Sequence, residues 1–225
     1  ATQRSLWILH GMGAATTSDV IQGMQSSHPS VRESAVQLAR GFVADQAVLE
    51  SVFACARDTE APVRLHAALT LGEINSSRST IALARIAASE STSPLTSTAV
   101  LTSAAGRSSE ILVAMRAMRG RDSSPPHPET VRLVRKLAEC TGAEGDRWQL
   151  SVLLSFVAST DSTIDWWKVT TLIGLAIGLE RYQGEERGLT LHGILEQPPA
   201  GLSTDSTAVQ LAGQSGYNFV LDPTA

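Results

Sequence analysis

Apolar residues recur along this chain at the spacing of α-helices. Val63, Ala67 and Leu71 lie at positions i, i+4 and i+8, which places them on one face of a helix. Leucines and valine between residues 150 and 157 repeat the pattern at i, i+3, i+4 and i+7. No stretch alternates between apolar and polar residues for long enough to indicate a convincing strand. The pattern therefore predicts an all-α protein.

The starts of these helices also repeat. Pro62 is followed by the pair Val63-Arg64 and then by Ala67, and Ala35 and Ala99 stand in register with Ala67 at a spacing of 32 residues. A proline precedes each of these three segments and a fourth at Pro128, whereas a fifth at 167–169 lacks one. Proline suits the first turn of a helix, where its missing N–H is not needed. The prolines thus predict where one helix of each repeat begins.

A second amphipathic stretch lies between successive proline-led helices, for example at 48–56, 83–87 and 111–118. Each repeat is therefore a helix–turn–helix unit of about 32–36 residues, within the range of helical repeats. One unit cannot bury its apolar face alone, so units stack on one another. We expect a solenoid, an α-α superhelix of about five units, over residues 1–185.

The segment Asp58-Thr59-Glu60-Ala61-Pro62-Val63-Arg64, followed by Ala67 and Leu71, resembles the HEAT repeat. The resemblance implies an α-solenoid in which a turn aspartate and an arginine of the second helix form a ladder between neighbouring units. Arg32, Arg64 and Arg132 stand at the arginine position, whereas Thr96 and Lys168 depart from it.

A narrower resemblance rests on four segments in order: Leu6-Trp7-Ile8-Leu9-His10-Gly11-Met12-Gly13, 31–39, 69–73 and 171–179. Together they resemble the helical-repeat section of large bacterial membrane-bound dehydrogenase-like proteins. That likeness implies a place beside a quinoprotein β-propeller and a c-type haem domain, in the periplasm or cell envelope. It implies no redox centre in this chain.

The remaining residues, 186–225, contain Pro198-Pro199, Pro223 and several glycines, which break helices. We expect an irregular, partly helical segment there, either an incomplete repeat or a cap. Both ends of the chain read as though cut from a longer protein. The longest nearly pure apolar run, Leu172 to Leu179, is too short to span a bilayer.

Charge and motifs exclude several kinds of chemistry. The net charge of −4 disfavours a duplex-DNA binder, which normally shows a basic face. The five histidines are scattered without metal-ligand spacing, and Cys55 and Cys140 belong to no metal or haem motif. Gly142 to Gly145 indicates a helix stop rather than a phosphate-binding loop. The sequence thus predicts no catalytic, cofactor or metal site.

Three functions stay open on this reading. The first is a non-catalytic scaffold, a monomer that presents a concave surface of second helices to a protein partner or a neighbouring domain. Arg32, Arg64, His66 and Arg132 are its candidate contact or ladder residues. The second is an accessory domain of a multidomain redox enzyme, which positions the catalytic and haem domains. The third is a helical enzyme with an active groove, although the sequence offers no convergent acids for it.

Overall fold

The computed structural model describes residues 2–89, 93–119, 127–159 and 166–182. Helices make up 79% of this part of the chain, and it contains no strand, so the all-α prediction is confirmed. The helices are α1 (Gln3–Gly11), α2 (Thr17–Met24), α3 (Pro29–Ala39), α4 (Gln46–Cys55), α5 (Ala61–Gly72), α6 (Ser77–Ala88), α7 (Pro94–Thr102), α8 (Ser108–Arg119), α9 (Pro128–Glu144), α10 (Arg147–Ser159) and α11 (Trp166–Glu180). The segment predicted to be irregular, 186–225, lies outside the described residues.

The helices pair into five units, α2–α3, α4–α5, α6–α7, α8–α9 and α10–α11, and α1 precedes them. The second helices α3, α5, α7, α9 and α11 pack on one another in succession, and α1 packs on α3. We call this row the second-helix layer. In the other row, the first-helix layer, α2 packs on α4, while α6, α8 and α10 pack in succession. Two layers of successively stacked units are the architecture of an α-solenoid.

The two kinds of helix begin differently. Prolines occupy the first or second position of α3, α5, α7 and α9, as the repeat predicts. The first helices α2, α4 and α6 begin instead at Thr16, Asp45 and Ser76, whose side chains accept hydrogen bonds from backbone N–H groups of the first turn. Each such cap satisfies N–H groups that have no partner within the helix. Local sequence thus sets the start of each element.

The residues in repeat register form the centre of the stack. Ala35 and Ala67 are fully buried, and Ala99 is 4% exposed. They lie on α3, α5 and α7, which pack directly on one another. Alanine leaves room for the neighbouring helix at these positions, so the alignment of the repeats is confirmed.

The contact between α9 and α11 is closer than the others, because glycines face each other there. A Cβ atom on Gly178 would overlap the carbonyl oxygen of Glu139, and one on Gly174 would overlap that of Arg135. Gly142 faces the backbone of Leu175, where a Cβ would lie 2.6 Å from the carbonyl oxygen. The two helices therefore meet backbone to backbone.

The helix stop predicted from Gly142 to Gly145 falls at the last of these residues. Helix α9 runs through Gly142 to Glu144 and ends at Gly145, which adopts φ 65°. That left-handed conformation is readily available to glycine. Across the described residues, moreover, no helix combines the length and hydropathy that crossing a membrane requires.

Candidate functional site

Arg32 and Asp58 join two neighbouring units through a bidentate ion pair. Arg32 on α3 donates from Nε to Asp58 Oδ2 over 2.7 Å and from Nη2 to Oδ1 over 2.8 Å. Its Nη1 donates to the carbonyl oxygens of Ser26 and Ser27, in the turn before α3. The two side chains are only 16% and 9% exposed. One guanidinium thus binds its own turn and the turn of the next unit.

The surroundings of Asp58 favour the ionised form of its carboxyl group. Burial by itself would raise the pKa of Asp58, but the hydrogen bond from Arg32 and the backbone N–H of Glu60 act in the opposite direction. The positive charges of Arg32 and Arg64 add to that effect, and the pKa lies below its usual value. Asp58 is therefore a carboxylate at neutral pH.

The other candidate residues divide between the turns and the surface. Arg64 is 5% exposed, and its Nη1 donates to the carbonyl oxygens of Asp58 (2.7 Å) and Thr59 (2.8 Å). It closes its own turn as Arg32 does. In the third unit, buried Thr96 pairs locally with Ser93 through their hydroxyl groups. Arg132 is exposed and pairs with Glu129 on its own helix. Arg132 therefore lies on the surface and not between two turns.

A second row of contacts runs along the opposite edge, where each second helix leads into the next first helix. Arg40, after α3, forms an ion pair with Glu73, after α5. Arg107, after α7, donates to the carbonyl oxygens of Gly72 (3.0 Å) and Ile74 (2.8 Å). In the fifth unit, Gln149 donates to the carbonyl oxygen of Gly106 over 2.8 Å. Successive turns on this edge are thus tied to one another.

Arg107 is the principal member of this row. It is 5% exposed, and it also donates to the carbonyl oxygens of Leu71 and Ser103 and to the hydroxyl of Ser79. Burial lowers its pKa from the ordinary value. Its acceptors include carbonyl groups at the ends of α5 and α7, where a positive charge is favoured. The sequence gives no periodic signal for it, since the residue 32 positions earlier is Asn75.

The face of the second-helix layer that points away from the first helices carries further exposed side chains. We call it the outer face. His66 on α5 lies against α3, with its Nε2 atom 2.8 Å from Gln37 Nε2 and 3.3 Å from Glu33 Oε1. On the next helices the exposed residues change in character. They include Leu95, Thr98 and Thr102 on α7, Arg132 and Arg135 on α9, and Val169 and Ile173 on α11.

The thiols and carboxylates do not assemble a reactive centre in the described part of the chain. Cys55 and Cys140 are both free. Burial, followed by the negative charge of Asp58, raises the pKa of Cys55 to about 12, so this thiol is not a nucleophile at neutral pH. Within the described ranges, no three His, Cys, Asp or Glu side chains are grouped so that they could hold a metal ion.

Comparison with known protein families agrees with this architecture. Residues 17–104 match the HEAT repeats family. The match begins at α2 and ends after α7, so it covers the three units that contain the Arg32–Asp58 pair and the aligned alanines. Searches among curated proteins and among solved structures give no match. The described residues thus form a HEAT-like helical solenoid, of which residues 17–104 match that family.

Proposed function

We propose that this chain is a non-catalytic scaffold that binds a protein partner or a neighbouring domain through its outer face. HEAT repeats commonly serve as protein-interaction scaffolds. Stacked units create an extended surface, which is how solenoids contact their partners. The proposal gives the turn arginines Arg32 and Arg64 a structural role and places binding on the outer face.

The observation that carries the proposal is the character of that face. It presents Glu33, Gln37 and His66 at one end, neutral Thr98 in the middle and basic Arg132 and Arg135 beyond. These side chains are exposed or half-buried, whereas the Arg32–Asp58 and Arg107 contacts that join the units are largely buried. A surface whose exposed side chains differ in charge from one end to the other can select the orientation of a partner.

A photo-cross-linking experiment tests this proposal. A benzophenone amino acid is placed at Thr98 on the outer face, and at exposed Ser155 on α10 in the first-helix layer as the matched control. We expect one defined protein adduct from position 98 and none from position 155. Arg135→Glu should reduce the adduct, because it reverses a charge on the same face. Equal adducts from both positions, or no adduct from position 98, would contradict the proposal.

The finer proposal is that the partner is part of the same polypeptide, a propeller or c-type haem domain in the periplasm or cell envelope. It is supported by the resemblance of residues 6–13, 31–39, 69–73 and 171–179 to dehydrogenase-like proteins. Purification of the native full-length protein tests it directly. A c-type haem absorbance spectrum would support this assignment, and a colourless protein without C-x-x-C-H motifs would contradict it.

A further inference from the structure

His66 occupies a position on the outer face where two different partners compete for one ring nitrogen. Its Nε2 atom is 2.8 Å from Gln37 Nε2 and 3.3 Å from Glu33 Oε1. Gln37 and Glu33 lie one turn apart on α3, so both reach the same imidazole. An amide nitrogen only donates hydrogen bonds, and a carboxylate only accepts them. The two neighbours therefore favour opposite protonation states of Nε2.

In the neutral form, Nε2 accepts the hydrogen bond from Gln37 Nε2, and the ring proton resides on Nδ1. Glu33 then receives no proton from the imidazole, and its side chain, 32% exposed, faces solvent as an anion. In the charged form, Nε2–H donates to Glu33 Oε1, and the amide of Gln37 loses its acceptor. Protonation thus changes the hydrogen-bond partner of the His66 Nε2 atom from Gln37 to Glu33.

Besides Glu33, the charged group that acts on His66 is Arg40. Arg40 lies directly after α3, and it pairs with Glu73. Helix α7, on the other side of α5, has no titratable residue over Pro94–Thr102. In the first-helix layer, Glu50 of α4 and Arg78 of α6 pair with each other. Burial lowers the pKa of His66, and Arg40 lowers it further, while Glu33 acts against them.

We propose that His66 makes the outer face a pH-dependent docking site for a basic side chain of the partner. At neutral pH the free carboxylate of Glu33 is available to that side chain. At acidic pH the same carboxylate is occupied by protonated His66, and docking weakens. The proposal rests on the proposed scaffold function for its partner, but the exchange at His66 can be measured on this chain alone.

The first experiment is ¹⁵N NMR of the imidazole rings in the unmodified chain, with His66→Asn to assign the signal. We expect neutral His66 to carry its proton on Nδ1. We expect Glu33→Gln to lower the pKa of His66, because it removes the acceptor of the charged form. Gln37→Leu should raise that pKa, because it removes the donor to the neutral form. The ring signals of His10, exposed on α1, serve as the control and should be the same in all variants at a given pH.

Neutral His66 with its proton on Nε2 would overturn the exchange, and the tautomer is read on the unmodified chain. Shifts of the same sign in Glu33→Gln and Gln37→Leu would also overturn it. The second experiment uses the partner recovered by cross-linking at position 98. Its affinity should fall several-fold as the pH drops below about 6.5, because the pKa of His66 lies below its ordinary value, and Glu33→Gln should abolish that dependence. A pH-dependence that survives in Glu33→Gln would refute the docking role even if the NMR result holds.

Discussion

At the scale of single residues, two kinds of arginine contact hold the turns. Arg32 has two partners in two units and little solvent exposure, whereas the Arg40–Glu73 pair is about half exposed on both sides. Exposed ion pairs contribute little to stability, because water and salt screen them. Hydrogen bonds to charged groups in a largely buried site contribute more. Arginine therefore contributes more to stability at the Arg32 edge of the solenoid than at the Arg40 edge.

We expect Arg32→Ala to lower the free energy of unfolding by about 1.5–3 kcal/mol, the range for a charge-assisted hydrogen bond. Arg40→Ala is the matched control and should cost less than about 1 kcal/mol. Urea unfolding followed by circular dichroism measures both. If the two variants cost the same, the Arg32–Asp58 pair does not join the units as described.

The half-buried His66 predicts a pH-dependence of stability. Because its pKa is lowered in the folded chain, the unfolded chain binds a proton more tightly. Stability is therefore complete above the unfolded pKa of about 6.5 and falls as the pH drops from there through the folded pKa. His66→Asn should show a smaller loss over this interval in urea midpoints measured against pH. An equal loss in wild type and variant would assign the effect to other groups.

At the scale of helices, the sequence predicts what local patterns encode. The register of Ala35, Ala67 and Ala99 and the prolines at helix starts follow from propensity and periodicity, and the structure contains both. The sequence predicts neither the contacts of Arg107 nor the contact between α9 and α11. Both depend on which turns and which helix faces pack against each other. Gly142 illustrates the difference. Its sequence context resembles a helix stop, but helix α9 continues through Gly142, whose backbone contacts α11.

The contact between α9 and α11 can be tested by a single methyl group. Gly178→Ala should lower the free energy of unfolding by about 1–3 kcal/mol, because the added Cβ forces two backbones apart. Gly11→Ala is the control, since no atom lies within 4 Å of a Cβ at that position. It should be neutral or stabilising by up to about 1 kcal/mol. Thermal melts of both variants measure the two effects. An unchanged melting temperature for Gly178→Ala would mean that α9 and α11 are further apart than described.

At the scale of the whole molecule, neighbours determine how firmly a helix is held. Helix α5 contacts α3, α4, α6 and α7, whereas α1 contacts α2 and α3. In a solenoid, stability is approximately the sum of the units and their interfaces. The middle of the stack is therefore expected to open last.

Amide hydrogen exchange should show this gradient. We expect backbone amides of α1 to exchange faster than those of α5, whose opening should approach global unfolding in free energy. Exchange measured by NMR at fixed pH compares the two helices in one sample. Equal protection of α1 and α5 would indicate a single cooperative unit without weaker ends.

The glycine contact between α9 and α11 also has a mechanical consequence. Where side chains such as Arg32 and Arg107 join the units, rotamer changes let neighbouring helices shift slightly while the contacts persist. Along the glycine contact of α9 and α11 the backbones themselves touch, so fewer side chains lie between the two helices to adjust. When a load bends the described part of the molecule, the deformation will therefore concentrate in the units before α9, and α9 and α11 will move together as one stiff body.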